Sequence, residues 1–300
     1  MTTTTHEMPP EITARIRRLD KIPPLSPVAQ QIMDLRSQNT PNAKALARII
    51  ELDPSLSAQV IRYACSALYA YKGKIDSTET AIARVLGYDM VINLALGIAT
   101  TKPFKIPKDG PMGSDSFWRH AVYSAVMMQT LAAGLPREQR PSAGSAYLTG
   151  LLHDFGRLVF AHLFPEEYHQ LNHIVAADPA ADCTAVEETL IGTTHAELGA
   201  WLLKEWKLPN DVVVANLKHH DPDFQGTHAC ASHLVLITDR ILDWNTTHGM
   251  TLDEETRPDP DLPSLSLEVL HVDQETVIRR AEKLLPKLPD METMVQQLLV

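Results

Sequence analysis

Residues 148–163 read LTGLLHDFGRLVFAHL, and this stretch decides the reading of the chain. It is apolar almost throughout, and the segments it joins, 142–153 and 157–173, carry apolar residues at helical spacing. Within it stands one pair of polar neighbours, His153-Asp154. A carboxylate buried among apolar side chains is costly unless it is paired or binds a cation. The adjacent His153 points to a metal. The plainer alternative pairs Asp154 with Arg157 or makes it a helix cap, with His153 satisfied by a backbone carbonyl. Taken alone, the plainer reading is the stronger.

Working outward, the chain reads as all-α. Thr40 and Pro41 are placed as N-cap and first residue of a helix over 41–52, and Asp53-Pro54 repeats the signal for the next. Asp76 with Glu79 reads as a capping pair, Gly87 as a stop, and 89–100 as a further apolar helix. Residues 103–115 (PFKIPKDGPMGSD) read as a loop between two lobes. Helical spacing returns over 116–133, 142–153, 157–173, 184–206, 210–220 and 228–244, with Thr194 and Glu197 as a capping box. An exposed loop is expected over 251–266, then an amphipathic helix near 273–285 and a short tail. The expected division is a tail (1–19), an N-terminal helical lobe (20–110), a second helical lobe (111–250) and an acidic loop with a C-terminal helix (251–300).

Composition narrows the function classes. The chain has 300 residues, 44% hydrophobic and 21% charged, which suits a folded core rather than disorder. Cys65, Cys183 and Cys230 form no CxxC pair, so neither a disulfide framework nor a Cys-type zinc site is expected, and a cytoplasmic location is. The first ten residues, MTTTTHEMPP, lack the pattern of a signal peptide, and apolar runs such as VINLALGIA (91–99) are too short to span a membrane. Net charge is −10, divided as about +4 over residues 1–110 and about −14 beyond. An acidic chain is repelled by phosphate backbones, so nucleic acid is not an expected partner. The helix-turn-helix look of 44–86 lacks a clustered basic recognition helix.

Further candidates lie on other predicted helices. Asp239, in HLVLITDRILDW, falls on or beside an apolar stripe. His120 shares a helix face with Tyr123 and Ser124. His195 sits in the first turn opened by Thr194, and His219-His220 at the end of the 210–220 helix. Each has an ordinary explanation: a satisfied core histidine, a rim acid paired with Arg240 or Arg62, or a histidine complementing a helix dipole. Imidazoles and carboxylates from separate helices can also hold one or two divalent ions, with iron, manganese, zinc or nickel favoured over calcium.

The order His120, His153-Asp154, His195, His219/His220, Asp239 resembles the ligand order of the HD superfamily of metal-dependent phosphohydrolases. More specifically, the chain resembles the HDOD (HD-related output domain) family of bacterial signalling proteins over about residues 20–245. The marks are IPPLSPVAQQIMDL (22–35), LDPSLSAQVIRYACSALYA (52–70), FWRHAVYSA (117–125), AYLTGLLHDFGRLVF (146–160), HAELGAWLLKEWKLP (195–209) and LKHHDP (217–222). The resemblance implies an N-terminal helical bundle packed on an HD-type helical lobe. It implies a metal site of His120, His153, Asp154, His195, His219, His220 and Asp239, with His219 and His220 left as alternatives. A signalling partner of a two-component or cyclic-di-GMP pathway is expected, and there is room for a homodimer.

Two functions follow from the resemblance. One is a non-catalytic regulatory module acting through ligand, metal and protein contacts. The other is a metal-dependent phosphohydrolase of nucleotides or cyclic nucleotides, with Asp154 and Arg157 at the catalytic position. Arg157 stands where HD enzymes commonly have Lys, and HHDPDFQG (219–226) lacks the longer GYP-type signature. Both departures favour the first function.

Overall fold

A computed structural model describes residues 8–248, apart from 20, 39, 67 and 109, and residues 260–298. The described residues form helices and no strand. The first set comprises α1 (Pro10–Arg18), α2 (Pro27–Arg36), α3 (Ala43–Glu51), α4 (Pro54–Ala64), α5 (Thr78–Thr80) running into a π-helical turn (Ala81–Leu86), and α6 (Tyr88–Thr101). Next come α7 (Ser114–Ala132), α8 (Ala143–Leu152), α9 (Phe155–Leu163), α10 (Pro165–Ala177), α11 (Cys183–Ile191), α12 (His195–Glu205), α13 (Asn210–Lys218) and α14 (Ala229–His248). Last are α15 (Ser264–Leu270), α16 (Gln274–Leu284), a 3₁₀ segment (Leu285–Met291) and α17 (Glu292–Leu298).

Helix α6 is the shared wall. Every residue from Met90 to Thr101 is buried, because α2 and α4 pack on one side and α8 on the other. A helix apolar all round has no solvent face to keep, which is why its sequence shows no polar stripe. Full burial of each Leu or Ile stabilises by roughly 1.5–3 kcal/mol. Its one internal amide is satisfied: Asn93 Oδ1 accepts from Arg36, and Asn93 Nδ2 donates to the Asp89 carbonyl at 2.8 Å.

Local signals hold in part. Asp53 caps α4, accepting from the Ser55 and Leu56 amides. Thr194 and Glu197 form the expected capping box. The first α3 cap is Asn42 rather than Thr40, and Pro41 lies outside the helix, because the Asn42 side chain accepts from the Ala45 amide one turn on. Ser77, not Asp76, caps α5, through its hydroxyl on the Thr80 amide. The predicted helix 157–173 is two helices: Pro165 cannot donate to the turn before it, and the chain breaks at Phe164. The predicted helix 184–206 breaks at Gly192, whose left-handed φ of 78° ends α11.

The ends are more ordered than expected. Residues 10–18, expected within a tail, form α1 and bury Ile16. Within the expected loop 251–266, residues 251–259 lie outside the described residues, but Leu262 and Ser266 are buried and α15 begins at Ser264. The expected tail after 285 is the 3₁₀ segment and α17, which lay Leu288, Met291 and Val295 into the core against α7. Arg119 of α7 donates to both oxygens of Glu292, at 3.2 and 2.8 Å.

Candidate metal centre

The His153-Asp154 pair sits where α8 stops and α9 starts. Asp154 takes φ −98° and ψ 15°, outside helical geometry, and its side chain makes no capping bond to α9. Asn216 of α13 instead steadies the break. Its Nδ2 donates to the carbonyls of Leu152 and His153, at 2.7 and 2.6 Å. Helix ends leave such carbonyls without partners, so one buried amide both satisfies them and ties α8 to α13. Close packing of α9 on α12 brings the next ligand in. A Cβ on Gly156 would collide with the His195 carbonyl oxygen, so only glycine lets these backbones meet.

The seven candidate ligands converge and divide into two groups. His195, His219, His220 and Asp154 form one; His120, His153 and Asp239 form the other. Asp154 lies between them. Its Oδ1 is 3.3 Å from His195 Nε2 and 3.6 Å from His219 Nε2. Its Oδ2 is 3.6 Å from His153 Nε2 and 3.8 Å from His120 Nε2. Asp239 Oδ1 is 3.5 Å from His120 Nε2 and 3.6 Å from His153 Nε2. Both His219 and His220 take part, the latter with Nε2 3.1 Å from His195 Nε2.

The far sides of the rings settle their tautomers. Nδ1 of His153 lies 2.7 Å from the Gly150 carbonyl, and Nδ1 of His219 lies 2.7 Å from the Asn216 carbonyl. Nδ1 of His195 lies 2.7 and 3.0 Å from the two oxygens of Glu187. A carbonyl or carboxylate accepts here, so Nδ1 carries the hydrogen, and each ring in its neutral form aims a bare Nε2 lone pair inward. Lone pairs facing one another repel. Two nitrogens on one ion at about 2.0–2.1 Å stand about 2.9–3.4 Å apart for tetrahedral or octahedral angles. The observed Nε2 separations are 3.1 Å for His120–His153, 3.1 Å for His195–His220 and 3.4 Å for His195–His219. Asp154 Oδ1 and Asp239 Oδ1 are buried and approached by imidazole nitrogens. These residues suit divalent cations, which the two groups would hold with Asp154 shared between them.

Electrostatics points the same way. Burial pushes the Asp154 carboxyl up, but the Arg157 guanidinium and His153 outweigh it and hold the group well below its usual 3.8. Burial likewise opposes Asp239, whose neighbours His153 and His120 bring it down to about 2. Burial lowers His153, and burial with His219 and His195 brings His220 down to about 2. Two imidazoles go the other way against their burial: Glu187 and Asp154 raise His195 to about 9, and Asp239 raises His120. The cause is an excess of negative charge. Asp154, Asp239 and Glu187 lie among these rings, and the Arg157 guanidinium meets one of them, with Nε 3.2 Å from Asp154 Oδ2.

The centre opens on a cavity of about 520 Å³ lined by His120, Asp154, Arg157, His219, His220, Asp239 and Arg240, with Phe117 and Leu236 as apolar wall. Its lip is fixed by Met112, whose carbonyl accepts from Tyr168 at 2.8 Å and whose amide donates to Asn172 at 2.9 Å.

Glu187 and Asn216 are absent from the sequence reading. Glu187 is fully buried and also accepts from the His195 amide at 2.8 Å. Nothing in CTAVEETLI separates it from Glu188. The three cysteines are free. No described helix is long and apolar enough to cross a membrane.

An all-helical body with a His-Asp turn at the meeting point of several helices defines the HD class of proteins. The family model of the HDOD domain matches residues 22–222, about two thirds of the chain, and the chain belongs to that family. Asp239 and the C-terminal helices lie beyond the matched range. A solved Marinobacter aquaeolei VT8 protein, provisionally described as a signal transduction protein, is 31% identical with a TM-score of 0.81; the match covers 96% of this chain and 65% of that one. A Shewanella amazonensis SB2B structure, provisionally described as a phosphohydrolase, is 23% identical with a TM-score of 0.73, over 94% of this chain and 98% of that one. Among curated proteins, an uncharacterised protein of Treponema pallidum (strain Nichols) is 24% identical over 206 residues, 68% of this chain. The chain spans 38% of that relative's length.

Proposed function

We propose that this chain is a signalling protein whose HD-type half (111–250) is a two-cation phosphoester hydrolase. One observation carries the reading: the two oxygens of Asp154 serve two separate ligand groups. A carboxylate that only balanced Arg157 would not need five histidines around it. With Asp154 counted twice, each group offers four donors, enough to hold an ion and leave room for a ligand. Bound divalent ions would supply Lewis-acid polarisation of a phosphoryl oxygen. The chain's own residues do the rest. Arg157 and Arg240 face the cavity and would hold the phosphate, the former by its planar fork. Glu187 and the Gly150 and Asn216 carbonyls keep the imidazoles in the ligating tautomer. Phe117 and Leu236 exclude water from one wall. Iron, manganese, zinc and nickel all suit the donors.

A non-catalytic reading is favoured by Arg157 itself. Arg is a fixed cation unable to transfer a proton, and here it sits against the Asp154 carboxylate. In that reading the same centre holds a phosphoester as a signal, and a partner protein reads the loaded state. Completeness of the two ligand groups reverses the order that sequence suggests. The test is protein reconstituted with manganese or iron(II), assayed for metal content and for turnover of bis(p-nitrophenyl) phosphate and a panel of cyclic dinucleotides. Two equivalents of metal and turnover, both abolished in Asp154→Ala, are expected. Two equivalents without turnover would leave the non-catalytic reading; failure to bind any divalent metal would overturn both.

A further inference from the structure

We infer that the chain has a second ligand site, for a small organic anion with an apolar body, on the reverse side of the metal-bearing helices. A cavity of about 670 Å³ lies between α4, the end of α6, the 102–113 loop, the start of α7, α9 and Leu298 of α17. That volume is ordinary for a site that encloses a small molecule. It is separate from the metal cavity, and the two back onto each other. On α7, Ser116, Phe117 and His120 face the metal side while Ser114 and Trp118 face this one; on α9 the division falls between Arg157 and Leu158.

The lining states the ligand's chemistry. Its floor is apolar: Ile98, Phe104, Ile106, Trp118 and Leu158. Its rim is cationic: Lys102, Lys105 and Lys108 recur every third residue along one loop and all line the cavity. Asp53 neutralises Lys102 through an ion pair. Lys105 and Lys108 have no ion pair among the described residues, and both are exposed. Two lysines without an ion pair thus stand over a hydrophobic hollow, a charged rim above an apolar floor. A carboxylate, sulfonate or phosphate head on the lysines with an aromatic or acyl body against Trp118 satisfies both halves. A polyanion such as nucleic acid would use the rim and leave the floor unfilled.

The site stands independently of the metal centre, so its test needs no metal. The probe is 1-anilinonaphthalene-8-sulfonate, followed by its own fluorescence and by quenching of tryptophan emission, with decanoate as competitor. The full chain is expected to bind one equivalent, displaced by decanoate and not by decanol. Lys105→Glu with Lys108→Glu changes exposed residues only and is expected to weaken binding about tenfold or more by reversing the rim charge. Ser55→Trp, at an exposed lining position, is expected to block binding while leaving the helical circular dichroism unchanged. Binding unaffected by both variants, or equal binding of uncharged N-phenyl-1-naphthylamine, would overturn the proposal.

Discussion

Replacing Glu187 tests whether the centre is built for cations. Both of its oxygens are spent on His195: the side chain at 2.7 and 3.0 Å, and the His195 amide at 2.8 Å to the nearer oxygen. Neither residue is accessible to solvent, so water cannot replace what is removed. Glu187→Ala leaves two buried donors unsatisfied and one buried charge unbalanced, a loss of roughly 3–5 kcal/mol. That is a large fraction of a typical stability of about 5–15 kcal/mol, so this variant is expected to melt several degrees lower. Glu187→Gln is the sharper probe. It keeps the volume and one acceptor but gives up the charge that strengthens His195 as a ligand. Second-layer carboxylates of this kind are worth about 10–100-fold in metal affinity. The assay is a competitive chelator titration with manganese or zinc, beside a thermal melt. Expected are a near-normal melt in metal-free buffer and a metal affinity weakened at least about tenfold. A folded Glu187→Gln protein with unchanged affinity would refute the reasoning, because the Glu187–His195 pair would then be packing alone.

Three further outcomes follow from the fold. Gly156→Ala is expected to cost several kcal/mol and to lose metal, since a Cβ there pushes α9 off the His195 carbonyl; a stable, metal-replete variant counts against the close approach. Asp53→Ala is expected to lose about 1 kcal/mol in a denaturant melt by uncapping α4, while Asp53→Asn keeps the cap and stays close to the parent. The Glu292 carboxyl is held below its usual 4.5 chiefly by hydrogen bonds from Arg119, against the push of burial. A depressed carboxyl stabilises the fold above its unfolded value and loses that contribution as pH falls through the folded one. The protection of residues 264–298 against hydrogen exchange, relative to the intrinsic rate, is therefore expected to fall selectively below about pH 4.5, and Arg119→Met to remove that pH dependence; an identical profile in the variant would count against the link.

Helix formation was legible because it is local. Period, caps and breakers act within a few residues, and Asp53, Thr194 and Gly87 spoke for themselves. Errors arose where two local signals competed within one turn, as with Thr40 against Asn42, or where a single Gly192 or Pro165 divided a long apolar run. All seven candidate ligands were legible too, but only as a family's ligand order, since each had a satisfactory explanation by itself. What the sequence determined was the helical class and the list of donors. The tertiary structure alone decided how the donors divide, that Asp154 stands between both groups, and that Glu187 and Asn216 hold the ligands in place. The physical reason is that a site of this kind depends on distances of a few ångströms between residues separated by up to about 120 positions. Those distances are set by helix packing such as Gly156 against His195, and no short window of sequence contains it.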